Sequence, residues 1–483
     1  MDQGKNRNVT FGVLLAGIAA YGLLQSLVAP VLPTLEGELH TSQDTATWLM
    51  TGYLLSASVA TPILGRIGDR VGKRKMLFVS LAGLAVGSVI AGLSSSIGLL
   101  IVARVIQGLG GGVLPLSFGI IRDEFPAEKV RGAVGIASAL ITVGAGVGLL
   151  VAGPIVENMN YHWLFWIPAI MTTAAAGATL LFVPESPVRT PGRISWSAAS
   201  LLSLWLVALL LGGSEGPTWG WGSGRVLGLF ALAVIGLVTW IAVELRLKEP
   251  LIDMRMMRIP AVWTANLAAL LLGVGMYTTM TFLPQYVQTP KAIAGYGLSA
   301  SITQSGVYIL PLTITMFVVG MLAGRVFARI GAKRTLIVGS VVNLPSFLVL
   351  AVAHDHSWAI YVSSALLGIG VGLAFSALSA IVVEGVPAAQ TGVASGMNAN
   401  IRTIGGAIGG SVAASILASG VTRANSYPPD SSYGTMFWFL TGSAVLTLAA
   451  AFLVPTYLRA HGQQPVTIPE QPQESSAEAS VTP

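Results

Sequence analysis

Cysteine is absent from the 483 residues, and charged side chains make up only 10% of them. The missing cysteine excludes disulfide frameworks, thiolate metal sites and cysteine nucleophiles. Soluble domains carry roughly 25% charged residues, so a fraction this low excludes water as the main solvent of the folded chain. The two absences therefore exclude functions that depend on thiols and indicate that the chain is not an ordinary soluble domain.

Metal-binding and nucleotide-binding patterns are also missing. The Gly-rich stretch at 108–112 lies inside an apolar segment and lacks the Lys-Ser/Thr pair of a phosphate loop. We therefore expect no metal and no cofactor, and no constellation of residues indicates an enzyme. The histidines fall in loops or at segment edges without a clear metal-binding spacing: His40, His162, His354, His356 and His461.

What the chain does contain is hydrophobic residues, 53% of the total, grouped in runs of about 20 residues or more. That length crosses a bilayer as a helix, the form in which a segment closes its own backbone hydrogen bonds. We predict an all-α membrane protein, with the first run retained as a span rather than cleaved as a signal peptide. Fourteen spans are predicted, near 11–33, 46–64, 76–95, 99–121, 132–157, 162–183, 194–212, 226–244, 261–288, 300–323, 335–353, 358–383, 391–419 and 433–456.

The distribution of basic residues predicts the orientation. Of the 26 Lys and Arg residues, 21 fall in the segments on one side of the predicted spans and 3 on the other. Because Lys and Arg are retained in cytoplasmic loops, both termini are expected inside the cell. The net charge of +6 is then explained by the basic residues of the cytoplasmic loops, and we expect no nucleic acid as a partner.

An internal repeat divides the chain. GRIGDRVGKR at 65–74 recurs 259 residues later as GRVFARIGAK at 324–333. Gly108, Gly110 and Gly112 similarly match Gly368, Gly370 and Gly372. Two related six-helix halves imply a substrate site between them near the bilayer midplane, reached by rocking. The predicted parts are an N-terminal half at 1–190, an inserted helix pair with its linker at 191–258, a C-terminal half at 259–460 and a disordered cytoplasmic tail at 461–483.

The loop at 65–75 resembles the G-x-x-x-D-R-x-G-R-K-x signature of the major facilitator superfamily. We expect its glycines to allow a tight turn, and Asp69 to accept hydrogen bonds from helix N-termini or Arg side chains. The second copy of the motif carries Ala328 in place of Asp69. The contact made by this acid, here called the latch, is therefore expected in the N-terminal half alone. The resemblance implies gating roles for Gly65, Asp69, Arg70, Gly72 and Arg74.

The fifth span carries a glycine pattern that resembles the antiporter signature of the same superfamily. Gly144, Gly148 and Ala152 stand four residues apart, ahead of Gly153, and should form a ridge of small residues for close helix contact. Leu149 replaces the usual Pro of the signature and Ala152 replaces a Gly. We assign Gly144, Gly148 and Gly153 to gating.

Stretches at 244–253, 285–288 and 402–406 resemble the fourteen-helix drug/proton antiporter branch. The branch commonly has an acid in the first span, but Leu24 stands at that position, beside Gln25. The acids left for proton coupling lie at span ends, Glu157 outside and Glu384 inside; either could instead be a solvated group at a loop edge.

The resemblance implies a proton-coupled exporter of small amphiphilic compounds such as drugs, in the bacterial plasma membrane. A transporter of a defined metabolite or lipid-like molecule is the alternative, and a non-transporting membrane receptor is a third. The expected partners are a small-molecule substrate, protons and membrane lipids, with the protein working as a monomer. With two span arginines and no mid-span acid, neutral or anionic substrates should be favoured.

Polar span residues need protein or water as partners, and those predicted to bind substrate are Gln25, Arg104, Gln107, Asn266, Tyr277, Gln285, Asn398 and Arg402.

Overall fold

The computed structural model describes residues 3–41, 43–186, 195–247, 250, 252, 254–387, 390–418 and 427–455. Within these ranges the regular structure is helical and no strand is present. Fourteen helices in the described ranges are long and apolar enough to cross a membrane, which confirms the predicted number of spans. The predicted tail at 461–483 and part of the linker before the ninth span lie outside the described residues.

The spanning helices are numbered α1 to α14, and α4 consists of two α-helices joined by a 3₁₀ segment. Their bounds are α1 Gln3–Ser26, α2 Gln43–Val71, α3 Lys73–Leu93, α4 Ile97–Glu124, α5 Ala127–Asn158, α6 Trp163–Phe182, α7 Trp196–Trp219, α8 Gly224–Arg246, α9 Pro260–Gln288, α10 Ile302–Ile330, α11 Ala332–Ala353, α12 Ser357–Gly385, α13 Thr391–Ala418 and α14 Asp430–Leu453. Short helical turns also occur at Ala29–Val31, Leu32–Glu38, Met254–Met257 and Lys291–Ala294.

The turns of the internal repeat contain a glycine at positive φ in both halves. Gly72 separates α2 from α3 with φ +133°, and Gly331 separates α10 from α11 with φ +81°. Both angles lie where a side chain is strained, so glycine is required there. The turn is shorter than predicted, because Gly65 and Gly68 lie inside α2 and Asp69 lies in its last turn.

The repeated glycines of α4 and α12 do not give these two helices the same geometry. In α4 the residues Gly108–Gly112 form a 3₁₀ helix between the α-helices Ile97–Gln107 and Val113–Glu124, whereas α12 is continuous. A Cβ on Gly111 would lie 2.7 Å from the carbonyl oxygen of Ala57, so α2 and α4 meet backbone to backbone. A 3₁₀ segment inside a helix is typical of strain or of a hinge.

Helix α5 lies between α1 and α10. A Cβ on Gly144 would lie 2.6 Å from the carbonyl oxygen of Ala19, and one on Gly148 would lie 2.7 Å from that of Leu23. Gly153 faces the other neighbour, since its Cβ would lie 2.6 Å from the backbone nitrogen of Thr303. Gly144 and Gly148 therefore allow α5 to pack closely against α1, the first helix of its own half. Gly153 allows close contact with α10 of the opposite half.

Helix α7 bridges the two halves near their outer ends. Ser214 shares a hydrogen bond of 3.0 Å with Thr51 of α2, and Ser411 of α13 donates a bond of 2.6 Å to the carbonyl of Gly213. Helix α8 packs on α7, with the rings of Trp205 and Trp240 5.9 Å apart. The inserted pair thus lies along the α2–α13 side of the bundle.

Gly144→Ala should destabilise the protein by about 1–3 kcal/mol, because the added methyl group forces α1 away from α5. Thermal unfolding of the purified protein in detergent measures the effect. Gly177→Ala in α6 is the matched control, since nothing lies within 4 Å of its Cβ position. Equal melting temperatures for the two variants would contradict the close contact between α1 and α5.

Candidate functional site

A small cavity lies between the two halves. Helices α1, α2, α4 and α5 line it from the N-terminal side, and α9 and α13 line it from the C-terminal side. The lining combines apolar side chains with hydroxyls, amides and one guanidinium: Tyr21, Gln25, Leu54, Ala57, Ser58, Thr61, Gly111, Leu114, Ile141, Tyr277, Ala399, Asn400, Arg402 and Thr403. Among the lining residues that the structure describes, none is acidic.

Arg402 is the charged residue of this lining. Its side chain is buried, and the guanidinium carbon lies 3.9 Å from the centre of the Phe375 ring, a cation–π contact. The guanidinium also interacts with Tyr277 and Tyr21 across the cavity. Its Nε has no hydrogen-bond partner among the described residues.

Three of the predicted substrate-binding residues, Gln25, Tyr277 and Arg402, meet at this cavity. Asn266 and Asn398 are elsewhere, buried against each other, with the Asn398 amide donating to Asn266 at 2.9 Å. Gln285 is exposed near the outer end of α9. The cavity residues come from helices far apart in the chain, so the sequence does not reveal which polar groups share it.

Arg104 and Gln107 lie outside the cavity lining, in a buried network within the N-terminal half. The Arg104 guanidinium donates to the carbonyl of Leu49 and to the Gln107 amide oxygen, both at 2.9 Å. It also lies 4.3 Å from the Tyr53 ring centre. Gln107 in turn donates to Ser88 at 3.0 Å. These hydrogen bonds join α2, α3 and α4. Arg104 and Gln107 therefore stabilise the packing of these helices.

Asn400 and Ser58 are cavity residues that the sequence analysis missed. The Asn400 amide donates to the Ser58 carbonyl at 2.7 Å, which joins α13 to α2 across the two halves. Asn400 stands two residues from each of Asn398 and Arg402, and this polar run in an apolar helix is the signal that could have identified it.

At the end of the bundle where Lys and Arg concentrate, here called the inner end, Asp69 faces the N-terminus of α13. Its carboxylate interacts electrostatically with the Val393 backbone, and a Cβ on Gly392 would lie only 3.0 Å from its Oδ1. Gly65 packs on the same segment, where a Cβ would lie 3.2 Å from the Gly392 carbonyl oxygen. A carboxylate beside a helix N-terminus is favourable, so this contact holds the halves together.

Lys73 connects Asp69 to a second acid. Its ammonium lies 3.8 Å from Asp69 and 2.5 Å from Asp123, and all three side chains are about 1% exposed. Ser186 also donates to Asp123. Asp123 was missed by the sequence analysis, because α4 and the loop after α2 are brought together only by packing.

Arg122 forms a second contact between the halves at the inner end. Its guanidinium donates to the carbonyls of Val383 at 2.5 Å and Val386 at 3.0 Å, at the C-terminus of α12. It also donates to Thr391 at the start of α13 and interacts electrostatically with Glu384. Cations are favourable at helix C-termini, so charges of both signs close the inner end.

The other gating candidates of the 65–75 loop, Arg70, Gly72 and Arg74, lie at the same end of the bundle. Arg70 is exposed. The Arg74 backbone donates to the Glu185 carboxylate at 3.1 Å, and the Arg74 Nε lies 3.9 Å from it. A Cβ on Gly72 would lie 2.6 Å from that carboxylate. Glu185 was not predicted, and it ties the turn after α2 to the end of α6.

Glu157 lies at the opposite end of the bundle, exposed at the end of α5. Its carboxylate accepts a hydrogen bond of 2.9 Å from Thr303 of α10. The two predicted proton-coupling acids therefore occupy opposite ends of the protein, each near a contact between the halves. Across the described ranges, no group of three or more His, Asp or Glu side chains has a geometry that could hold a metal ion.

Comparisons with known proteins agree on the family. The sequence profile of the Major Facilitator Superfamily matches residues 14–410, and again residues 266–480. The tetracenomycin C resistance and export protein of Streptomyces glaucescens is 30% identical over 85% of this chain and 76% of its own. The multidrug transporter protein MdtP of Bacillus subtilis is 29% identical over 84% of this chain and 74% of its own.

The structure of the human organic anion transporter MFSD10 aligns with 93% of this chain and 99% of its own, with a TM-score of 0.65. At 18% identity the match supports the fold alone. The predicted family and fold class are confirmed, and the chain belongs to the Major Facilitator Superfamily, within its drug-efflux branch.

Proposed function

We propose that this protein is a proton-coupled exporter of small amphiphilic compounds in a bacterial plasma membrane, working as a monomer. Two relatives that match most of the chain are named for the export of an antibiotic and for multidrug transport. The observation that carries the proposal is the cavity between the halves, in which hydroxyls and amides stand among apolar side chains. Such a lining suits a compound with an apolar body and a few polar groups.

Alternating access requires contacts that can close one end of the cavity at a time. Asp69 at the N-terminus of α13 and Arg122 at the C-terminus of α12 supply such contacts at the inner end. Both act through helix termini, whose partial charges extend over about one turn. A rocking motion of one half therefore breaks them completely over a few ångströms.

Proton coupling requires an acid whose surroundings change during that motion. The cavity lining offers none, so the acid lies at an end of the bundle. We assign the role to Glu157, whose hydrogen bond with Thr303 crosses from α5 to α10 and forms only when these helix ends meet. Its exposure on the outer side suits an exporter that takes up its proton there. Glu384, near Arg122, remains the second candidate.

Inside-out vesicles with an acidic interior should accumulate a substrate, and a protonophore should abolish the accumulation. A panel of fluorescent amphiphiles and antibiotics, with vesicles lacking the protein as the control, measures both. Accumulation that survives the protonophore would exclude proton coupling. Uptake of one metabolite, with no export of any compound in the panel, would favour the alternative of a specific metabolite transporter.

Asp69→Asn should open the inner end more often and slow transport about 2- to 30-fold, because the charge at the α13 N-terminus is worth about 0.3–2 kcal/mol. Substrate affinity should change little, since Asp69 is not part of the cavity lining. The absence of cysteine allows a direct measurement with Ala399→Cys in the cavity. A membrane-impermeant maleimide applied from the cytoplasmic side should label this cysteine faster in the Asp69→Asn background.

Asp355→Asn is the control for that experiment, because Asp355 is exposed and pairs with its neighbour His356. It should leave both the labelling rate and the transport rate unchanged. A large loss of substrate affinity in Asp69→Asn, with a normal transport rate, would contradict the latch.

Glu157→Gln should uncouple transport from the pH gradient and leave substrate exchange at equal pH intact. Glutamine keeps a hydrogen bond to Thr303 but cannot bind a proton. Glu38→Gln removes another exposed carboxylate and is the matched control. Normal gradient-driven transport by Glu157→Gln would show that the proton binds elsewhere.

A further inference from the structure

Arg104 and Arg402, the two arginines that the sequence places inside predicted spans, have different surroundings. The Arg104 Nε and Nη1 donate to the carbonyls of Leu49 and Leu24 and to Gln107, and its Nη2 is buried without a partner among the described residues, so that side chain is enclosed within one half. Arg402 reaches the cavity between the halves, where its Nε has no hydrogen-bond partner among the described residues. A positive charge in this position is available to a bound molecule.

The charge of Arg402 is not balanced by an acid. No salt bridge among the described side chains involves it, and the cavity lining contains no Asp or Glu. Burying a charge is costly unless it is paired and hydrogen-bonded. The Phe375 ring and the hydroxyls of Tyr277 and Tyr21 offset part of that cost.

The contact with Phe375 places the Arg402 guanidinium carbon over an aromatic ring, whose electron-rich face attracts the cation. A guanidinium carries five N–H donors in one plane, an arrangement that matches a carboxylate or another oxyanion. The ring thus helps to hold the charge in place, and the Nε donor, which has no partner among the described residues, is suited to an oxygen ligand.

We propose that the cavity takes organic anions, and that Arg402 is the residue that recognises their charge. The ligand class is an amphiphile with a carboxylate or an acidic phenol on an apolar body. The oxyanion accepts from Arg402, with Tyr277 and Tyr21 beside it. The body lies against Leu54, Leu114 and Ile141. The inference rests on the proposed export function, since it specifies the substrate of the same cavity.

The same arrangement selects against lipophilic dications. Such a compound would bring two positive charges to a cavity whose one ionised lining residue is Arg402. Like charges at short range in a poorly screened site repel strongly. A neutral ester of the same anion loses only the charge-assisted hydrogen bond and still fits the apolar lining.

Binding to the purified protein in detergent tests the inference separately from transport. The probes are a fluorescent aromatic carboxylate and its methyl ester, with affinity measured by fluorescence anisotropy. The wild-type protein should bind the carboxylate about tenfold or more tightly than the ester, in line with a hydrogen bond to a charged group. Equal affinities, or tighter binding of the ester, would overturn the proposal.

Arg402→Gln should remove the preference for the carboxylate while leaving the affinity for the ester within about twofold. Arg258→Gln removes the same charge from an exposed position and should keep the wild-type preference. If Arg402→Gln binds neither probe, or if it retains the preference, Arg402 does not recognise the charge.

Gln25→Glu tests the same inference without removing Arg402. Gln25 belongs to the same lining, so a carboxylate at this position should weaken binding of the anionic probe about tenfold and leave the ester unchanged. An unchanged affinity for the anion would contradict the proposal. Export assays on the same probes then separate the two conclusions, because carboxylate-selective binding without transport would refute the export function and leave anion recognition standing.

Discussion

The cost of holding a charge between helices in a membrane governs the arrangement of this protein. Four buried or half-buried cations each have different partners. Arg104 is surrounded by backbone carbonyls and Gln107, and Lys73 lies between two carboxylates. Arg122 uses the C-terminus of α12. Arg402 alone among these four reaches the cavity, where a ligand can complete its coordination.

The duplicated halves share one arrangement of helices but differ in the side chains that they carry at equivalent positions. Both place a glycine at positive φ between consecutive helices, at Gly72 and Gly331. In the first half the preceding turn carries Asp69, which reaches across to α13, whereas Ala328 occupies the related position in the second half. The carboxylate contact at the inner end is therefore one-sided, and the asymmetry lies in side chains rather than in topology.

Much of the fold could be predicted because hydropathy and charge are one-dimensional signals. The fourteen spans follow from apolar runs, and the Gly144 and Gly148 contacts with α1 follow from small residues at helical spacing. The site was harder to predict, because it depends on side-chain direction. Gln25 and Leu24 are adjacent in sequence, yet Gln25 lines the cavity while the Leu24 carbonyl binds Arg104. Partners such as Asp123 and Glu185 are distant in sequence from the motif they complete.

The acid-free cavity has a consequence for the energy of transport. An anion that leaves a cell with a negative interior moves with the electrical force, and a membrane potential of 100 mV contributes about 2.3 kcal/mol per charge. That energy sustains an outward concentration ratio of about fiftyfold without any proton. A lipophilic cation must be exported against the same force and depends on protons for every step. For the proton-coupled export of anions proposed above, a cavity with Arg402 and no carboxylate among its described lining residues would shift part of the work from the pH gradient to the membrane potential.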